Sequence, residues 1–155
     1  MLTFLYYSHL KRHSFSIKLP LEKQQLPGYP EFPINVGEHI RKKRMDLGLL
    51  QREVAEIIGV TESSVWNWEH GTEPELQYNP KIISFLGYVP FEFPDDTLGR
   101  LAWYRKVNAL SVVKLGEEIS IHPDQLYEWL GAKRRPFNKS LQKIERFLGG
   151  HLKCR

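Results

Sequence analysis

The polar side chains best suited to recognition chemistry cluster just after Gly59, and their chemistry is hydrogen bonding, not bond making. The cluster supplies hydroxyls, a carboxylate and a carboxamide, in the residues Thr61, Glu62, Ser63, Ser64 and Asn67. A carboxamide donates and accepts at once, so Asn67 matches N6 and N7 of adenine, and Glu62 can accept from N4 of cytosine. Solvated polar residues on an exposed helix are the alternative interpretation. The segment is therefore a candidate surface for contacts with base edges.

Motifs for bond-making chemistry are missing from the sequence. It contains no glycine-rich phosphate loop, no His-Glu-x-x-His pair and no paired-cysteine pattern. A zinc site would need His9 and His13 to meet His151 and Cys154 from the opposite end of the chain, and scattered solvated residues are the simpler interpretation. We expect no enzymatic activity, no metal and no small-molecule cofactor.

Composition narrows the class of protein. The chain has 155 residues, of which 41% are hydrophobic and 26% charged, which suits one ordinary domain or two small ones. No apolar run approaches the roughly 18 residues that a membrane crossing needs. Cys154 is the only cysteine, so no internal disulfide can form, and we expect a cytoplasmic protein without a membrane partner.

Charge is distributed unevenly along the chain. Residues 1–30 carry a net charge of +3, residues 31–89 carry −3, residues 90–96 carry −3 and residues 97–155 carry +7. A basic balance is compatible with a polyanionic partner, but lysine and arginine also serve simply to keep a small protein in solution. Charge alone therefore leaves the partner open.

Two short helices must position the polar cluster. Helical apolar spacing predicts a helix that ends at Gly59, where positive φ is available without a steric penalty. Thr61 can cap a following helix whose Val65 and Trp68 face inward and which stops at Gly71. The opposite face of this second helix is then exposed to solvent. Trp66 should be partly exposed, either on a sugar–phosphate backbone or under a neighbouring helix.

Two further helices complete the first unit. Asn35 caps a helix that runs to Gly48, and Asn79 caps another, with Pro80 at its first position, that ends at Gly87. The apolar stripes that predict the helices outside 61–71 are formed by Val36, Ile40, Met45, Leu47, Leu50, Val54, Ile57, Ile58, Ile82, Ile83, Phe85 and Leu86.

Much of this pattern returns 61 residues later. Ile40, Arg44, Val54, Val65 and Trp68 recur as Leu101, Arg105, Leu115, Leu126 and Trp129, and with an offset of 62 the Phe-Leu-Gly at 85–87 recurs at 147–149. Such periodicity predicts a duplicated unit. The predicted organisation is a flexible tail and proline-rich linker (1–33), a first unit (34–89), a linker (90–96), a second unit (97–149) and a C-terminal tail (150–155).

Residues 36–87 resemble the XRE-type helix-turn-helix family of phage repressors and Cro-like proteins. The resemblance rests on the segment GEHIRKKRMDLGLLQ, on the small residue Ala55, on Gly59 and on the ending Trp68, Glu69 and Gly71. Together with the repeat described above, it implies an all-α fold of two tandem small helical units, the first a Cro/lambda-repressor-like helix-turn-helix domain and the second a divergent repeat of it.

The resemblance also assigns roles to individual residues. It places Thr61, Glu62, Ser63 and Asn67 at base-contacting or adjacent phosphate positions, and Gln51 on a phosphate. Relatives commonly pair an arginine of the first helix with a glutamate at the end of the recognition helix, which here implies a structural pair of Arg44 and Glu69. Candidates for a phosphate-facing positive field, or else a solvated basic face, are Arg41, Lys42, Lys43 and Arg52.

The second unit departs from this pattern. Val112 and Leu130 stand where the first unit has Gln51 and Glu69. The outward positions carry Pro123, Asp124 and Glu128, and carboxylates repel phosphate. We expect no base contacts from this helix, although Lys133, Arg134 and Arg135 could still hold backbone phosphates or belong to a surface for a dimer.

These features predict sequence-specific binding of double-stranded DNA, with helix 61–70 in the major groove. The predicted role of the protein is that of a transcriptional regulator. The alternatives are a protein-interaction module, such as an antitoxin-like or adaptor subunit, and a DNA-binding subunit of a recombination or transposition system. A homodimer could also form.

Overall fold

The computed structural model describes residues 27–151, and over that range the chain is helical without a β-strand. The α-helices of this range are α1 (Val36–Leu47), α2 (Gln51–Ile58), α3 (Glu62–Glu69), α4 (Asn79–Leu86), α5 (Thr97–Val107), α6 (Val112–Ile119), α7 (Pro123–Leu130) and α8 (Asn138–His151). A single 3-10 turn, Leu76–Tyr78, precedes α4. The predicted all-α class is confirmed.

Each half of the described chain packs around its own apolar core. The first core is formed by Val36, Ile40, Val54, Ala55, Ile58, Val65, Trp68, Ile82 and Leu86. The second is formed by Leu101, Val112, Leu115, Ile119, Ile121, Leu126, Trp129, Ile144 and Leu148. Burial of apolar surface is the main favourable term in folding, so each unit has its own source of stability. We call them unit one (α1–α4) and unit two (α5–α8).

The predicted apolar stripes overestimate the first core. Leu47, Leu50 and Ile57 are 55%, 52% and 57% exposed. The eight-residue α2 buries only the face that carries Val54, Ala55 and Ile58, and positions 50 and 57, seven residues apart, share a different face. Helical spacing was enough to predict the helix but not to select which face of it is buried.

The backbone of unit two repeats that of unit one at several places. Helices α6 and α7 begin and end 61 residues after α2 and α3. The amide of Val60 donates to the Ala55 carbonyl and that of Ile121 to the Gly116 carbonyl, both at 2.9 Å. Ser120 has a φ of +51°, where unit one has Gly59 at +78°. Left-handed backbone costs an L-residue about 1–2 kcal/mol, so unit two makes this turn without the residue that suits it best.

Asn79 joins the two units instead of capping α4, which corrects the prediction from its sequence position. The helix starts at Asn79 itself, and the residue before it makes no side-chain capping bond. The Asn79 side chain is buried, and its Nδ2 donates to the Lys106 carbonyl at 3.0 Å. That carbonyl lies in the last turn of α5, where carbonyls lack partners within the helix. The Asn79 side chain therefore makes a hydrogen bond between the two units in place of the predicted cap of α4.

Aromatic and charged contacts complete this inter-unit joint. Lys106 Nζ lies 2.9 Å from Glu73 Oε1 and 4.0 Å from the ring centre of Phe91. The Trp103 indole donates to the Phe91 carbonyl at 3.4 Å and packs edge-on against Phe93, with 5.1 Å between ring centres. The segment 90–96 thus lies packed between the units.

Replacing Asn79 by alanine is expected to lower the free energy of unfolding by about 1 kcal/mol, the net contribution of a typical hydrogen bond. The variant removes the bond from the buried Asn79 side chain to the Lys106 carbonyl, which still accepts from the Ala109 amide at 3.4 Å. Urea unfolding followed by tryptophan fluorescence measures the change. Gln77→Ala is the matched control, because the partner of that exposed amide among the described residues is Glu75 on the surface. Equal effects of the two substitutions would show that the buried amide contributes nothing special.

The described end of the proline-rich segment lies along α1. The Tyr29 hydroxyl donates to Asp46 Oδ1 at 2.9 Å, and Lys42 Nζ donates to the Tyr29 hydroxyl at 3.0 Å and to the Glu31 carbonyl at 3.2 Å. Residues 1–26 and 152–155 lie outside the described residues, as do His9, His13 and Cys154 of the zinc alternative.

Candidate nucleic-acid interface

A three-residue turn connects α2 to α3. Gly59 closes α2 in the left-handed conformation, with its amide donating to the Ala55 carbonyl at 2.8 Å. The Thr61 hydroxyl then accepts from the Ser64 amide at 3.2 Å and caps α3. Glycine and a hydroxyl cap are the residues that these positions favour, so local chemistry favours the turn between α2 and α3.

Helix α3 has a buried face and an exposed face. Val65, Trp68 and Glu69 are buried in unit one. The exposed residues of α3 and its caps are Thr61, Glu62, Ser63, Trp66, Asn67 and His70, and Ser64 is half-buried. The predicted polar cluster therefore lies on the outer side of the helix.

The polar side chains on this outer face differ in whether they are already hydrogen-bonded within the protein. The Thr61 hydroxyl lies 2.8 Å from the hydroxyls of both Ser63 and Ser64, so these three side chains orient one another. Within residues 27–151, Glu62 and Asn67 make no side-chain hydrogen bond to the protein. Their full hydrogen-bonding capacity is thus open to a ligand, which is the state that contacts with base edges require.

An aromatic pair, Trp66 with His70, extends the outer face, and the sequence pattern predicted exposure for Trp66 but no role for His70. Trp66 is 50% exposed, and its indole stacks on the His70 ring, with centres 3.9 Å apart and planes inclined by 22°. His70 Nδ1 lies 2.7 Å from the Trp66 carbonyl; a carbonyl only accepts, so Nδ1 is the donor. The four-residue spacing was the signal that would have indicated this pair.

Arg44, Gln51 and Glu69 form a polar cluster behind α3. Arg44 binds Glu69 with two bonds, Nε to Oε1 at 2.6 Å and Nη2 to Oε2 at 2.8 Å. The Glu69 side chain is 1% exposed and that of Arg44 16%. Gln51 Nε2 donates to Glu69 Oε2 at 3.0 Å, so the amide that the resemblance assigns to a phosphate is engaged within the protein. The cluster ties α1, α3 and the start of α2 together.

Of the cations predicted to face phosphates on α1 and α2, some contact other parts of the protein and others do not. Lys42 is directed to the 29–31 segment by the contacts described above, and the Arg41 guanidinium lies directly against Gly28. Lys43 is half-buried and Arg52 is exposed. The structure thus leaves Arg52, and in part Lys43, as the cations of this set free to face a ligand.

The outer face of α7 is acidic. The side chains of Asp124 and Glu128 are 84% and 46% exposed, and Tyr127 is 56% exposed. Behind α7, Val112 is buried where unit one has Gln51. The Arg105 Nε is buried without a hydrogen-bond partner in the described part of the chain, because Leu130 stands where Arg44 finds a glutamate. Unit two therefore lacks both the outer face and the polar cluster of unit one.

The cations predicted to hold phosphates in unit two lie in the loop between α7 and α8. Lys133, Arg134 and Arg135 are all exposed. Arg134 Nη1 lies 3.5 Å from Glu128 Oε2, a distant surface pair of small energy.

A comparison with known protein families matches residues 40–93 of this chain to a helix-turn-helix family. The match covers α2, the turn and α3, and it confirms the resemblance to XRE-type, Cro/C1-like proteins for this segment. The chain thus contains a DNA-binding helix-turn-helix domain. No solved structure matches the chain. Among residues 27–151, no helix is long and apolar enough to cross a membrane, and no group of acidic, histidine or cysteine side chains could hold a metal ion.

Proposed function

We propose that the helix-turn-helix domain binds duplex DNA in a sequence-specific manner as a transcriptional regulator, with α3 in the major groove. One observation carries the proposal: α3 is anchored on its inner face by Val65 and Trp68, while the side chains of Glu62 and Asn67 on its outer face make no hydrogen bond within the described residues 27–151. A major groove about 12 Å wide admits one α-helix, and its base edges present the donors and acceptors that these side chains match.

The cluster behind α3 supports this proposal by making the helix rigid. Glu69 is held by Arg44 and Gln51, so the C-terminal end of α3 cannot rotate independently of α1. Contacts with bases need side chains held close to their working geometry, since a displacement of about 1 Å weakens such contacts. Arg52 and Lys43 would contribute contacts with phosphates, which orient the domain without selecting sequence.

Replacing Asn67 by alanine is expected to reduce affinity for the preferred DNA sequence by roughly 5- to 150-fold. This range corresponds to the roughly 1–3 kcal/mol by which one bidentate base contact discriminates. Affinity for random duplex should stay within about twofold, because the phosphate contacts are unchanged. Selection from a random duplex pool identifies the preferred sequence, and titration of both duplexes with fluorescence anisotropy gives the affinities.

Gln125→Ala is the matched control, since it removes an exposed amide from α7. If Asn67→Ala kept full preference for the selected sequence, α3 would not be the helix that contacts bases. If the wild-type protein bound no duplex even at low salt, while retaining a protein partner, the adaptor alternative would replace the regulator.

Unit two is proposed to be a degenerate copy of unit one. The equal spacing of α2–α3 and α6–α7 supports a duplication, as does the recurrence of left-handed backbone at Ala109, Ser120 and Ala132, each 61 residues after a glycine with positive φ. A copy whose outer helix carries Asp124 and Glu128 is not suited to base contacts, which assigns specificity to unit one alone.

A further inference from the structure

A basic surface runs along α8 and the loop before it, and we call it the α8 basic face. It consists of Lys133, Arg134, Arg135, Lys139, Lys143 and Arg146. All six residues are exposed. The three cations on α8 are spaced four and three residues apart, so they lie on one side of the helix over about 10 Å. These three cations on α8, together with Gln142, line one cavity of about 370 Å³.

The protein itself does little to neutralise this charge. Within residues 27–151, Arg134 is the member with an acidic partner, Glu128 at 3.5 Å. Glu145, the acid within the same stretch of α8, accepts a hydrogen bond from Thr97 at 3.0 Å. Lys143 Nζ donates to the Ser120 carbonyl at 2.7 Å, a contact that leaves its positive charge in place. The face therefore keeps a positive potential toward solvent.

The position of these cations opposes the local stability of α8. The amino end of a helix carries partial positive charge and favours acidic residues, whereas the first turn of α8 has none and contains Lys139. Lys133, Arg134 and Arg135 stand just before the same end. Cations collected where the helix itself disfavours them indicate an anionic partner outside the chain, since local rules are most often broken at functional sites.

We propose that the α8 basic face binds the sugar–phosphate backbone of the same duplex whose bases α3 contacts, without preference for sequence. This inference rests on the proposed function and adds to it the place where the phosphate affinity resides. Residues 31–89, which contain α3, carry a net charge of −3, so beyond the contacts of Arg52 and Lys43 this segment adds no net attraction for a polyanion. The acidic outer face of α7 directs the duplex to α8 within unit two.

The inter-unit joint makes the two contacts cooperative. Asn79 and Lys106 hold α4 against α5, so unit two is carried to the duplex by unit one and its binding is intramolecular. An intramolecular second contact gains from effective concentration and raises affinity without altering which sequence is preferred. Unit one then selects the sequence and unit two retains the protein on it.

The test is the double variant Lys139→Gln/Arg146→Gln, which leaves Lys143 and its contact with Ser120 intact. The logarithm of the binding constant against the logarithm of the salt concentration should become shallower by about 2, since each lost phosphate contact removes about 0.9 from the slope. At about 0.1 M salt the affinity should fall roughly tenfold per lost contact, equally for the preferred and for random duplex. Lys114→Gln, which removes an exposed lysine of α6 outside that cavity, should leave both quantities nearly unchanged.

The outcomes separate this inference from the proposed function. A wild-type protein that selects a sequence, together with a folded double variant of unchanged slope and affinity, would overturn the role of α8 alone. A double variant that loses sequence preference would also overturn it, because the face would then contact bases. A wild-type protein that binds no duplex at low salt would overturn the proposed function and this inference with it.

Discussion

Replacing Gly37 by alanine is expected to lower the free energy of unfolding by about 3 kcal/mol or more. Gly37 lies in the first turn of α1 and is buried against α3. A Cβ at this position would overlap the Trp68 carbonyl, and the Glu69 amide nitrogen would lie 3.1 Å from it. Both neighbours are backbone atoms inside a helix, so no side chain can move aside. Overpacking against a fixed backbone causes one of the larger losses of stability that a single substitution can produce.

Gly149→Ala is the control for this prediction. Gly149 lies in α8, and among the described residues no atom beyond the neighbouring backbone of the same helix comes within 4 Å of the position that an added methyl group would occupy. Alanine should therefore raise stability by about 0.5–1 kcal/mol through its better helix propensity. Thermal unfolding followed by circular dichroism measures both variants. A Gly37→Ala variant as stable as the wild type would show that α1 and α3 can separate, and that the position of α3 is not determined by their contact.

Replacing Arg44 by alanine is the second large effect expected, a loss of about 3–5 kcal/mol in the free energy of unfolding. The Glu69 carboxylate is 1% exposed and takes two hydrogen bonds from Arg44. Removing the arginine leaves that charge buried against the neutral amide of Gln51, and an uncompensated buried charge is strongly destabilising. Urea unfolding at neutral pH gives the change in free energy.

The matched ion pair for comparison is Lys106 with Glu73, whose side chains are 39% and 63% exposed. Glu73→Ala should cost under about 1 kcal/mol, because solvent screens an exposed pair. A further variant, Arg44→Met/Glu69→Leu, removes both charges and should recover much of the stability lost in Arg44→Ala. An Arg44→Ala variant that loses no more than Glu73→Ala would contradict the structural role of the pair.

Much of the fold could be predicted from the sequence because its helix ends follow local rules. Asn35 caps α1 and Thr61 caps α3, each through its own side-chain oxygen, as their positions predict. Gly48, Gly59 and Gly87 end helices in the left-handed conformation. Capping and positive φ involve atoms within about four residues of one another, so spacing along the chain contains the necessary information.

The candidate site was only partly predictable, because availability of a side chain depends on partners distant in sequence. Gln51 and Lys42 have the types expected of phosphate contacts, yet Gln51 is bonded to Glu69 and Lys42 to residues 29–31. Asn79 has the type and place of a helix cap and instead crosses to Lys106. A donor with several possible acceptors binds the one that burial and geometry favour, and periodicity does not encode that choice.

The order of residues along the chain was sufficient to determine the helices, the tight turn at Gly59 and the polar outer face of the helix that follows, since these depend on preferences of neighbouring residues. Folding in three dimensions decided that Gly37 permits the close contact of α1 with α3, that Trp66 stacks on His70, and that the units join through Asn79. The physical reason is one of range. Backbone propensities act over one helical turn, whereas packing and buried hydrogen bonds unite residues that only the folded chain brings within contact distance.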